Sequence, residues 1–61
     1  MKDNVILLTF ETTEGYNTFN WFEDIEEVDR FIKENGAKIK CLIECMDTTD
    51  AKRIELSELG K

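Results

Sequence analysis

Histidine is absent from this chain, and the groups whose clustering could suggest chemistry are its carboxylates and its two thiols. Five acids crowd one stretch, Glu23, Asp24, Glu26, Glu27 and Asp29, and neighbouring carboxylates are the usual material of a general acid–base pair. Here they fall on the opening turns of a helix, where acids complement the dipole and stay solvated, so no catalytic role is assigned. Asp47-Thr48-Thr49-Asp50 carries two acids but lacks the alternating oxygen ligands and closing Glu of a calcium loop. Its side chains suit a turn that hydrogen-bonds its own backbone. Cys41 and Cys45 without a His partner do not make a metal site, and Glu14-Gly15 is a single glycine rather than a phosphate cradle. Phe10, Phe19 and Trp21 have faces that could stack on bases, but in an acidic chain core packing is the better use of them. The residue types therefore point to no catalytic group, no cofactor and no metal, and the expectation is a protein that is not an enzyme.

The elements that position these residues begin with a hairpin from Asn4 to Phe22. Gly15 can adopt the positive φ of a tight turn, so Glu14-Gly15 is expected as a two-residue loop. That loop pairs Thr13 with Tyr16, Glu11 with Thr18, Phe10 with Phe19, Leu8 with Trp21 and Leu7 with Phe22. Side chains alternate across a strand, so Ile6, Leu8, Phe10, Phe19 and Trp21 would share the core face. A slip of one residue would set Phe10 opposite Thr18 and Leu8 opposite Asn20, which looks the poorer pairing. In the expected register Trp21→Ala costs about 3 to 5 kcal/mol.

From Glu23 the period lengthens to about 3.6, with Ile25, Val28, Phe31 and Ile32 on one side. Asp24 followed by Glu27 fits a helix start of the capping-box kind, and Gly36 fits a left-handed C-cap, giving a helix of about eleven residues. Ala37 to Met46 alternates again, with Ile39, Cys41, Ile43 and Cys45 expected on the core side and Lys38, Lys40, Leu42, Glu44 and Met46 on the other. Ala51 to Leu56 is read as a short fourth strand, because a strand sets Ile54 and Leu56 on one face. The alternative is a helix capped by Thr49 or Asp50 and closed by Gly60.

A right-handed helical crossover between the second and third strands leaves room for the first between them. The expected fold is α+β, a single domain over residues 1–61, ββαβ(β), with an antiparallel sheet of order 2-1-3-4 and one helix on one face. The uncovered face would then carry Val5, Leu7, Phe22, Leu42 and Met46, which together make a candidate protein-interaction surface. A two-fold homodimer is its simplest occupant; the alternative is a different protein.

Net charge is −6, with eight acids and one base in residues 1–29 against six acids and seven bases in residues 30–61. That balance argues against direct binding to nucleic acid or to an anionic membrane. Lys2 and Asp3 precede an apolar run of only four residues, Val5 to Leu8, so no signal peptide is read there, and no stretch approaches the roughly 20 apolar residues of a membrane span. Two cysteines four apart in one strand lie about 13 Å from each other, too far to bridge. Unpaired thiols fit the cytoplasm. The expected function is a small acidic, cytoplasmic protein-interaction or regulatory module. An acidic DNA mimic acting through Glu23, Asp24, Glu26, Glu27 and Asp29 is the alternative. In its order of elements, a hairpin, an acidic helix start and a returning strand, the chain resembles the small host-takeover proteins of phages. That resemblance implies an interaction protein encoded by a phage or other mobile element and assigns no residue a role.

Overall fold

The hairpin turns on three residues, not two. A computed structural model of the chain describes residues 4–60; Lys2 and Asp3 of the N-terminal reading lie outside them. Strand β1, Ile6–Thr12, pairs antiparallel with β2, Asn17–Phe22. The Gly15 amide donates to the Thr12 carbonyl at 3.0 Å and the Thr12 amide to the Tyr16 carbonyl at 2.9 Å, with Gly15 at φ +99°. This is a β-turn followed by one left-handed residue, the usual three-residue hairpin. The longer loop moves the pairing by one: Ile6 faces Phe22, Leu8 faces Asn20 and Phe10 faces Thr18. The two-residue loop and its register are thereby corrected. Because side chains alternate, the shift turns every residue of β2 to the other face, taking Phe22 into the core and Phe19 and Trp21 out of it.

The helix α1 runs Ile25–Asn35. The Glu27 amide donates to Asp24 Oδ1 at 2.9 Å, and the Glu27 carboxylate reaches back to accept from the Glu23 amide at 2.8 Å. One amide left unpaired by helix geometry, that of Glu27, is thus satisfied, and the Glu23 amide just before the N-cap is tied to the first turn, which sets the entry from β2. Gly36 is not a left-handed cap: at φ −54° and ψ −34° it continues into a 3-10 turn, Gly36–Lys38. Strand β3, Ile39–Asp47, returns antiparallel along the other side of β1.

Simple alternation fails along β3. Its register against β1 shifts twice, between Thr9 and Phe10 and between Glu11 and Thr12, and each shift is an extra residue of the kind that defines a bulge. Cys45 therefore faces Leu8 and is buried, while Leu42 faces Phe10 and packs on the core. Cys41 faces Glu11 and is exposed, as is Ile43. The expected core set of Ile39, Cys41, Ile43 and Cys45 keeps only Ile39 and Cys45.

The fourth strand, β4, is the two residues Lys52–Arg53. It follows a turn in which Asp47 Oδ1 accepts from the Thr49 amide at 3.0 Å. Beyond it the Ile54 amide donates to the Cys45 carbonyl at 2.8 Å, and Leu56–Glu58 forms a 3-10 turn, where a strand had been expected to reach Leu56. The sheet is four-stranded and antiparallel in the order β2-β1-β3-β4, with α1 against one face: an α+β fold. Its core is Ile6, Leu8, Phe10, Phe22, Val28, Cys45 and Leu59, flanked by Ile25, Phe31, Ile32, Ile54 and Leu56. The Phe31 ring meets Phe10 and Phe22 at centroid distances of 5.5 and 5.2 Å, both tilted, a geometry that aromatic quadrupoles favour.

Candidate interaction surface

Residues paired across strands point to the same face, so the register maps the uncovered side of the sheet row by row. One row runs Trp21, Leu7, Met46, Arg53. The next is Phe19, Thr9, Glu44, and the third is Asn17, Glu11, Cys41. Apolar groups gather toward β2, where Phe19 is 58% and Trp21 45% exposed. Charges gather toward β3 and β4 and are paired there. Arg53 donates to Glu44 at 3.1 Å, and Lys40 Nζ lies 3.7 Å from Glu11 Oε2. Such exposed pairs add little stability, but they neutralise charge across that half of the face.

Of the five residues expected on this face, Leu7 and Met46 are there. Val5, Phe22 and Leu42 are not: Phe22 is in the core, and Val5 and Leu42 pack against it. The cause is the three-residue loop for Phe22 and the first bulge for Leu42. Phe19 and Trp21 are the residues that sequence reasoning missed. The available signal was Gly15, which fits the left-handed position after a β-turn as well as it fits a two-residue loop.

The five acids around the helix start are partly committed within the fold. Asp24 and Glu27 accept backbone N–H groups at the start of α1, and Asp29 accepts from the Gly60 amide at 2.9 Å. Glu26 is exposed. On the helix side of β2 a groove of about 270 Å³ opens between strand and helix, bounded by Phe10, Thr12, Thr18, Asn20, Phe31 and Asn35. The Thr12 hydroxyl is buried and has no hydrogen-bond partner among the described residues.

The two thiols differ. Cys45 is fully buried, and burial, reinforced by the charges of Asp29 and Asp47, raises its pKa, as expected where the thiolate would be desolvated. Cys41 is exposed beside Glu11, with Sγ 3.7 Å from Oε1. Neither is in a disulfide. No helix among the described residues is long and apolar enough to cross a membrane. No family model, curated protein or solved structure matches the chain.

Proposed function

We propose that this chain is a non-enzymatic protein-interaction or regulatory module that engages a protein partner through the uncovered sheet face, with Phe19, Trp21, Leu7 and Met46 as the contact residues. The observation that carries this is two large aromatic side chains held about half exposed on a strand that pairs with β1 in unbroken register. Aromatic residues on a preorganised surface lose little entropy on binding, and tryptophan in particular is enriched among the residues that dominate binding energy at interfaces. Unpaired thiols favour the cytoplasm as its compartment, and encoding by a phage or other mobile element is part of the same proposal.

The acidic DNA mimic has weaker support, because Asp24, Glu27 and Asp29 already serve as acceptors for backbone amides. The two functions separate by salt. Mimicry weakens steeply as ionic strength rises, whereas apolar contact does not.

The test is chemical cross-linking and mass spectrometry on lysate of the source cells, with wild type and with Phe19→Lys and Leu7→Lys. Both variants alter a partly or largely exposed position and leave the core intact. A partner captured by wild type and lost from both variants supports the interaction face. Equal capture by all three proteins removes it.

A further inference from the structure

We propose that the free edge of β2 takes up an extended segment of the partner protein as a fifth strand, and that this segment alternates apolar and polar residues along its middle and is flanked by basic residues. The inference rests on the interaction role above and adds the mode of docking and the partner's chemistry.

The two edges of the sheet are unlike. The β4 edge is two residues long and both are cationic, Lys52 and Arg53. Short length and lysine-type charge are the ordinary means by which a sheet edge is kept from pairing. The β2 edge has six residues, Asn17 to Phe22, with no charge, no proline and no shift of register against β1. Nothing in its side chains opposes another strand.

Its backbone is also oriented to accept one. The Thr12 amide bonds to the Tyr16 carbonyl, which sets the alternation of the ladder. Thr18, Asn20 and Phe22 then exchange hydrogen bonds with β1, and the N–H and C=O groups of Asn17, Phe19 and Trp21 point away from it. Strand addition supplies partners to such groups and lets alternate side chains choose the ligand. An added strand would set one row of side chains beside Phe19 and Trp21 and the other row over the groove lined by Thr18, Asn20 and Phe31.

Charge selects the occupant. The strand is uncharged and carries acids at each end: Glu14 lies in the hairpin loop, with Lys38 lining the groove on the helix side of it, and Glu23, Asp24 and Glu26 follow Phe22. A second copy pairing antiparallel about a two-fold axis would bring the Glu14 end of one chain to the helix start of the other, acid against acid at both junctions, which opposes pairing. A segment with Lys or Arg on either side of about six residues, spanning about 20 Å, meets attraction at both ends.

The probes are two synthetic decapeptides with a middle of alternating valine and threonine, one bearing two arginines at each end and the other two glutamates. Binding is measured by titration, and amide hydrogen exchange of the whole chain is followed by NMR. The arginine-flanked peptide is expected to bind about tenfold or more tightly than the glutamate-flanked one at low salt, and to slow exchange of the Phe19 and Trp21 amides by about tenfold or more. Binding that leaves those two amides unchanged while shifting the Leu7 and Met46 side-chain signals overturns the edge and keeps the interaction face. No binding of either peptide, or equal binding of both, overturns the proposed ligand. Slowing of the same amides with rising protein concentration and no peptide assigns the edge to a second copy and overturns it too. Loss of the interaction face in the cross-linking test, by contrast, would come from side chains and not from these amides.

Discussion

The amide of Gly60 donates to Oδ1 of Asp29 at 2.9 Å, fastening the end of the described chain to the second turn of α1. The bond seats Leu59 in the core at 8% exposure and gives Asp29, one of the acids expected to face only solvent, a structural task. It also holds Gly60 at φ +75°, where an added Cβ would lie 2.8 Å from Ile32 Cγ2.

Gly60→Ala is therefore expected to cost about 1 to 3 kcal/mol, from a left-handed backbone and a clash together. Gly15→Ala also forces a left-handed residue, at φ +99°, but its Cβ meets nothing within 4 Å, so about 1 kcal/mol is expected. Urea unfolding of both variants tests the difference. Equal losses would show that the contact with Ile32 is relieved without cost.

Trp21 and Leu8 should behave oppositely. The two-residue-loop register would make Trp21→Ala cost about 3 to 5 kcal/mol, whereas a ring 45% exposed on the uncovered face should cost about 1 kcal/mol or less. Leu8→Ala, at 0% exposure, should cost about 2 to 5 kcal/mol. Thermal melts of the pair decide between the registers, because a Trp21→Ala loss as large as that of Leu8→Ala restores the rejected one.

The thiols offer a chemical check on the bulges of β3. Iodoacetamide should modify Cys41 rapidly in the folded protein and leave Cys45 unmodified, since one is exposed and the other fully buried. Denaturant should make both react. Mass spectrometry of the labelled peptides reads this directly, and early labelling of Cys45 would contradict the register around Leu8.

The buried thiol also predicts a dependence on pH. The folded pKa of Cys45 is raised above its ordinary value of 9.0, first by burial and then by Asp29 and Asp47. The unfolded chain therefore loses this proton before the folded one does. Its stabilising effect is fully present below about pH 9 and is lost as pH rises through the folded pKa. Urea midpoints of wild type should fall as pH is raised above 9, and Cys45→Ala should remove that part of the decline. An identical decline in the variant would place its origin elsewhere.

What the sequence by itself determined is local or topological. The start of α1 is written in Asp24 and Glu27 and its inward side in the spacing of Ile25, Val28, Phe31 and Ile32, because caps and helical periodicity depend on residues within a turn or two; its end is not, since Gly36 continues into a 3-10 turn in place of the left-handed cap. The strand order followed from connection rules that allow few alternatives. The tertiary structure decided which way the side chains face. A strand has period two, so one added loop residue at Thr13-Glu14-Gly15 reverses all of β2, and the added residue at Ile43 reverses β3 until a second one, at Lys40, restores the facing of Ile39. Counting aromatics favoured Phe19 and Trp21 inside. Packing placed Phe22 there instead, against Phe31, and left the other two on the surface. Local sequence could not separate these outcomes, because Gly15 satisfies either loop, and only the contacts made across the completed sheet and helix tell them apart.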